Sequence, residues 1–246
     1  MKAVILAAGM GTRLRPMTEN LPKGLIEVNG KTLLEYSLDN LAFFGVKDII
    51  IVTGYLENAI KQKIGENYKG IKVEYVCNDY FAETGSMYSL SQIKNIINDD
   101  ILLLESDLLY EKKAIGCLLE SELKDAILMS DLLNNGDDVF ICINEDNQVV
   151  DLGKKIIEGQ KNKIKGCLVG ISKLSLGFLE KLFQKAEKDY QSGKMNYHYE
   201  ECILETSLEN APVYALHCSD LVWTEIDNES DLKLAREVVF PRMKNI

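Results

Sequence analysis

Three basic side chains, Arg13, Arg15 and Lys23, follow a turn that contains Gly9 and Gly11. The turn closes a short apolar run at residues 4–7. Glycine lets a backbone approach a ligand closely and lets its N–H groups converge on phosphate oxygens. Cations brought to the same strand edge neutralise those oxygens, so the set suits a triphosphate. The first 31 residues hold five lysines and arginines against two acids, while the whole chain is formally −10. A cationic patch inside an acidic protein points to a placed site rather than a sticky surface. Three acids follow apolar runs further along: Asp107 after 101–104, and Glu225 and Asp227 near the chain's end. Residues i and i+2 of a strand share a face, so Glu225 and Asp227 can project into one cleft.

Several chemistries are excluded or weakened. Leu14 stands where a dinucleotide fingerprint needs its third glycine, and no Gly-Lys-Ser/Thr ending marks a Walker loop. A plain strand-to-helix turn would explain the glycines but not the cations beside them. The acidic balance argues against nucleic acid as a partner. The cysteines at 77, 117, 142, 167, 202 and 218 form no Cys-x-x-Cys pair, so neither a zinc site nor a disulfide framework is expected. Met1-Lys2 lead straight into the first strand and no apolar run spans a bilayer, which predicts a cytoplasmic protein without membrane contact.

The elements that must position these residues alternate. Strands are expected at 4–7, 48–53, 73–76 and 101–104, and helices at 32–44, 56–64 and 86–97, the last with Ser86 as N-cap. The isoleucine-rich 48–53 run suits a strand buried on both faces. This rhythm predicts an α/β fold with a mostly parallel sheet and a ligand crevice at the strands' carboxyl ends. The second half reads as a hairpin, 138–144 and 148–151, around Glu145-Asp146-Asn147, then a strand at 166–171. Helices at 176–190 and 200–208, short strands at 213–216 and 221–226, and a helix at 229–239 capped by Asn228 complete the chain. Residues 134–138 read as a turn rather than a boundary. One domain over 1–246 is expected, with 1–110 as a nucleotide-binding half and 111–246 as an acceptor-binding half.

Leu6-Ala7-Ala8-Gly9-Met10-Gly11-Thr12-Arg13-Leu14 with Pro22-Lys23 resembles the signature of nucleotidyltransferases with a single-domain GT-A-like, Rossmann-like fold. Glu105-Ser106-Asp107 and Trp223-Thr224-Glu225-Ile226-Asp227 extend the resemblance to the C-terminal helix. It is most like the bacterial CTP:phosphocholine and 2-aminoethylphosphonate cytidylyltransferases. The resemblance implies Mg²⁺ held by Asp107 and Asp227, with Glu225 a weaker candidate. It implies nucleotide contacts at Leu6, Ala7, Ala8, Gly9, Gly11, Thr12, Arg13, Lys23 and the Thr84-Gly85-Ser86 turn, although that turn also reads as a helix cap. Arg13, Lys23 and Asp107 are the expected catalytic residues, Arg13 on the β/γ-phosphates and Lys23 at the α-phosphate.

The attacking group would be a phosphate or phosphonate oxygen, anionic at neutral pH, so no general base is needed; His198 and His217 read as structural. For the acceptor, Tyr197, Tyr199, Glu200, Glu201 and Trp223, with Tyr80 and Tyr88 from the other side, offer aromatic faces and carboxylates for a cationic head. Lys154, in a Gly-Lys-Lys turn, is a candidate for the acceptor phosphate. The resemblance implies CTP as donor, and the expected acceptor is a small zwitterion: phosphocholine, phosphoethanolamine or 2-aminoethylphosphonate. A sugar-1-phosphate nucleotidylyltransferase and a non-catalytic nucleotide-sensing subunit remain as alternatives, and the protein is expected to be a monomer or homodimer.

Overall fold

The computed structural model describes residues 1–133, 138–159, 161–209 and 211–243. The opening apolar run forms β1 (Lys2–Ala7), with β2 (Asp48–Thr53) and β4 (Ile101–Glu105) paired parallel on either side. β3 (Ile71–Cys77) extends the parallel set beyond β2. Alternation sorts these strands into two apolar layers. Ala3, Ile5, Ile49, Ile51, Leu102 and Leu104 pack with α1 (Leu33–Phe43), α2 (Glu57–Ile64) and α4 (Lys113–Glu120). Val4, Leu6, Ile50, Val52, Ile101 and Leu103 pack with α3 (Ser86–Ser91), α5 (Leu176–Gln191) and α6 (Tyr199–Leu208). Each fully buried leucine or isoleucine contributes about 1.5–3 kcal/mol, so a strand sealed on both faces is held firmly and its carboxyl end is a rigid platform.

The second half reverses direction. β9 (Ile164–Leu174) lies antiparallel to β4 through Ile171–Leu174 and antiparallel to β7 (Phe140–Ile143) through residues near Cys167. β7 and β8 (Val149–Gly153) form the expected hairpin. On the other edge of β9 runs β6 (Ala126–Ser130), followed by β10 (Tyr214–His217). The result is one mixed, mostly parallel ten-stranded sheet. Because β4 and β7 share the same edge of β9, the sheet forks where β4 ends.

A third apolar cluster lies under the glycine-bearing loop. Leu14, Ile26, Val28 and Leu33 pack on Leu109, Val222, Ile226 and Leu232. Leu109 belongs to β5 (Leu108–Tyr110), which pairs antiparallel with β11 (Trp223–Glu225). Leu232 lies on α7 (Glu229–Leu234). Leu14, the residue in place of a third glycine, is fully buried here and anchors the loop.

The structure corrects several expectations. The helix from Ser86 ends at Ser91, and Gly85, not Ser86, is its N-cap. The Ser86 hydroxyl instead accepts the Tyr199 N–H at 3.0 Å. The helix expected at 229–239 is α-helical only to Leu234, and Ala235–Val239 adopts a wider π-helical turn. The strand expected at 166–171 runs from Ile164 to Leu174. α4, β5 and β6 lie outside the sequence expectations. The turn expected at 134–138 falls largely outside the described residues. Among those residues, no helix is long and apolar enough to cross a membrane.

Gly85 joins the two halves of the chain. Its N–H donates to the Met195 carbonyl at 3.1 Å. A Cβ there would lie 2.0 Å from the Tyr197 carbonyl oxygen. Gly85→Ala is therefore expected to destabilise the protein by about 2 kcal/mol through overpacking against backbone. The urea-unfolding midpoint measures this, and an unchanged midpoint would show that the two segments part without cost.

Candidate active site

A cleft of about 710 Å³ lies at the carboxyl ends of β1 and β4. Leu6, Ala7, Ala8 and Gly9, where β1 runs out into the loop, line one wall, with Arg13 and Lys23 beside them. Gly11 and Thr12, expected as nucleotide contacts, do not line the cleft. Gly11 has φ +59° and its carbonyl accepts the Thr18 hydroxyl at 2.7 Å, so it turns the loop rather than facing the cavity. Thr12 opens the short 3₁₀ turn that carries Arg13.

Lys23 is the centre of the site. It sits in a 3₁₀ turn, Lys23–Leu25, whose Leu25 is buried in the core. Its ammonium is hydrogen-bonded to both Asp107 Oδ2 and Asp227 Oδ1 and stands 3.9 Å from Glu225 Oε1. Arg13 pairs with the other oxygen of Asp227. The β5–β11 ribbon fixes this convergence: Glu225 is in register with Leu108, and the Ile226 N–H donates to the Asp107 carbonyl at 3.0 Å. Burial works against the Lys23 charge, but Asp107, Asp227 and Glu225 outweigh it and hold the ammonium above its usual pKa. Burial also opposes the charge on Asp227, yet Lys23 and Arg13 keep that carboxyl below the usual range. Burial, then the nearby Asp107, push Glu225 up to about 8.

Glu105, two residues before Asp107, joins the same group. Carboxylate oxygens of Glu105, Asp107 and Glu225 lie within 4.8 Å of one another, a set able to take a hard cation. Asp107 Oδ1 is buried without a hydrogen-bond partner. Glu105 Oε1 accepts the Tyr199 hydroxyl at 2.8 Å. Burial, followed by Asp107, Glu225 and Glu200, raises the Glu105 carboxyl well above its usual range. Gly170, at φ +80° within a bulge of β9, makes room for it: a Cβ there would lie 2.5 Å from Glu105 Oε2. The i, i+2 spacing that pairs Glu225 with Asp227 pairs Glu105 with Asp107, so a signal for Glu105 was present in the sequence. Gly170 had none, because its role depends on a strand 65 residues away.

Thr84, Gly85 and Ser86 line the facing wall, as do Lys154, Tyr199, Glu200 and Glu201. Gly85's close approach is to the Tyr197 backbone. Glu201 accepts the His198 N–H at 3.2 Å and so also caps α6. His198, read as structural, lines the cleft, whereas His217 lies apart, paired with Asp131 at 2.9 Å. The expected aromatic box is not there. Tyr197 is buried in the core with its hydroxyl 3.5 Å from Cys202 Sγ. Trp223 is buried in the opposite layer and donates its indole N–H to Ser130 Oγ at 2.9 Å. Tyr80 and Tyr88 stack edge-to-face on each other, outside the lining. Large aromatic rings gain more from full burial than from a wet cleft wall, and a core partner satisfies the polar end.

Comparison with known proteins agrees with this geometry. Residues 2–129 match the family model described as nucleotidyl transferase. The chain is 31% identical over 242 residues to choline-phosphate cytidylyltransferase of Streptococcus pneumoniae, covering 97% of this chain and 98% of that protein. It is 27% identical over 239 residues to CMP-5'-(3-aminopropyl)phosphonate synthase of Streptomyces rubellomurinus, covering 95% of this chain and 38% of that protein. The inositol-1-phosphate CTP transferase from T. maritima superposes with a TM-score of 0.82 at 21% identity, over 99% of this chain and 94% of that one, and shares its GT-A-like fold. A family model spanning more than half the chain, and a relative 31% identical along nearly all of it, show that this protein belongs to the nucleotidyl transferase family.

Proposed function

We propose that the protein is a cytoplasmic, Mg²⁺-dependent cytidylyltransferase that transfers CMP from CTP to a small zwitterionic phosphate or phosphonate and releases pyrophosphate. The observation that carries this reading is the convergence of Arg13, Lys23, Asp107 and Asp227 at the end of β1. Relatives that align with nearly all of this chain include a choline-phosphate cytidylyltransferase, a CMP-aminopropylphosphonate synthase and a CTP:phosphoglutamine cytidylyltransferase, which supports CTP as donor.

An acceptor oxygen forms the new bond to the α-phosphorus as the bond to pyrophosphate breaks. That oxygen is already anionic, so the chain has to supply positioning and charge rather than a base. Arg13 neutralises the β/γ-phosphates, and Lys23 stabilises charge growing at the α-phosphate. The nucleotide's base is received by Leu6–Ala8 and Thr84–Ser86. Asp107 and Asp227, with Glu225, are suited to Mg²⁺, because Asp107 Oδ1 is buried and unpartnered and the Lys23 ammonium already serves as the cation between the two aspartates. When bound, the ion supplies charge neutralisation along the triphosphate. Lys154 and Glu200 face the acceptor, with the lysine for its phosphate and the acid for its cationic end, while Glu201 lines the same wall and caps α6.

The reading is tested by pyrophosphate release from each common triphosphate in the presence of phosphocholine, phosphoethanolamine, 2-aminoethylphosphonate and several sugar phosphates. CTP with a zwitterion is expected to react fastest; preference for a sugar phosphate would overturn the acceptor. Asp107→Ala and Asp227→Ala are each expected to abolish release while circular dichroism stays unchanged, and normal turnover with Mg²⁺ in either would reject the metal assignment. Lys23→Ala is expected to lower kcat by about 10²–10³-fold with a smaller effect on KM for CTP. A loss confined to KM would make Lys23 a binding residue only.

Lys23→Met removes the cation shared by two largely buried aspartates. Without divalent ions it is expected to lower stability by about 3 kcal/mol. Added Mg²⁺ is expected to raise Tm more in this variant than in the unaltered protein. An equal rise in both would mean that ion and lysine do not serve the same carboxylates.

A further inference from the structure

Building on the transfer reading above, we propose that the acceptor carries a primary ammonium, received by the carboxylates of Glu200 and Glu105, and that a quaternary ammonium is selected against. Glu200 begins the first turn of α6 and faces the cleft, and its Oε2 is buried with no hydrogen-bond partner. Glu105 reaches the same wall from the end of β4, with one oxygen taken by the Tyr199 hydroxyl. The charges of His198 and Lys154 reach Glu200 but do not offset its burial. Lys23 is engaged by Asp107 and Asp227. Glu201 differs from its neighbour, because its carboxylate caps the helix by accepting the His198 N–H.

These two acids therefore present open acceptor capacity to a ligand. A buried oxygen without a donor is costly, and the cost is relieved only by a group that brings an N–H or O–H. A primary ammonium brings three N–H donors. A trimethylammonium brings none and would leave Glu200 Oε2 unpaired. What it needs instead is a cage of aromatic faces. The cleft lacks that cage: Tyr197 and Trp223 are packed into opposite core layers, and Tyr80 and Tyr88 lie outside the lining. Of the cleft's aromatics, Phe81 lies beside Ala8 at the nucleotide end, and Tyr199 turns its hydroxyl to Glu105. The apolar part of the acceptor-side lining is aliphatic: Val139, Leu152, Leu168 and Val169. That surface fits a short methylene chain between the anionic and cationic ends. A site built to hydrogen-bond a substrate N–H rejects the analogue without it far more strongly than an apolar pocket rejects an extra methyl.

The test is a methylation series with the full-length protein, CTP and Mg²⁺. Pyrophosphate release is followed with phosphoethanolamine, its N-methyl and N,N-dimethyl derivatives and phosphocholine, and with 2-aminoethylphosphonate beside its N-trimethyl analogue. The expected result is a stepwise fall in kcat/KM, reaching about tenfold or more at the quaternary end. Glu200→Gln is expected to lower kcat/KM for the primary amines by about tenfold and to narrow the gap to phosphocholine, with KM for CTP unchanged; retained KM for CTP shows that the variant is folded. If phosphocholine, or the phosphate of an uncharged alcohol, reacts as well as the primary amines, CTP-dependent transfer stands and this inference alone is overturned. If no acceptor draws pyrophosphate from CTP, the transfer reading fails and takes this inference with it.

Discussion

A single ammonium group holds the site together. Lys23 bonds Asp107 and Asp227, which lie 84 and 204 residues away in sequence. Desolvating three charges is costly, and their mutual attraction repays it only when the geometry is good. Geometry here is set by apolar packing that never touches the cleft. Leu14 and Ile26 on either side of the lysine turn, Leu109 on β5 and Val222 and Ile226 flanking β11 share one cluster. Burying those side chains draws the loop, the strand end and the C-terminal ribbon together, and the charges meet as a result.

The remaining geometry follows from the way the sheet divides. Four parallel strands end on one side, and β9 runs back against β4 with a bulge near Gly170. β9 pairs with β7 before it reaches β4, and the gap between those two strands opens into the cleft. Glu105 enters that gap because alternation along β4 turns it to the α6 face, beside Ile101 and Leu103. Tyr199 on α6 meets it there. This wall of the cleft is thus assembled from a strand end, a bulge and a helix start, each positioned by a different part of the core.

Local patterns made much of this legible. The β1 run, the capped helix at 33–43 and the isoleucine-rich β2 follow directly from burial periodicity and capping chemistry, and Asn228 caps α7 as its spacing with Asp231 predicts. The cation-acid set was legible because charges following buried strands are unusual. What local pattern could not give is the destination of large amphipathic side chains. Tyr197 and Tyr199 share one polar stretch and Trp223 sits in a short apolar run, yet one meets a thiol, one a carboxylate in the cleft and one a serine in the far layer. That choice depends on long-range packing. Ser86 shows the same limit: its type fits an N-cap, but the helix begins one residue earlier in register and the hydroxyl serves Tyr199 instead.

The cleft's charge has a further consequence for how ligands enter. Its lining holds six carboxylates, Glu105, Asp107, Glu200, Glu201, Glu225 and Asp227, against Arg13, Lys23, Lys154 and Lys155. A triphosphate is strongly anionic, and by itself it would meet an acidic chamber in an acidic protein. Arg13 and Lys23 offset this at the β1 end only in part, since both are already paired with Asp227. On the transfer reading proposed above, the chamber would favour anions that arrive with cations: a nucleotide with its divalent ion at one end, and an acceptor whose own ammonium accompanies its phosphate at the other.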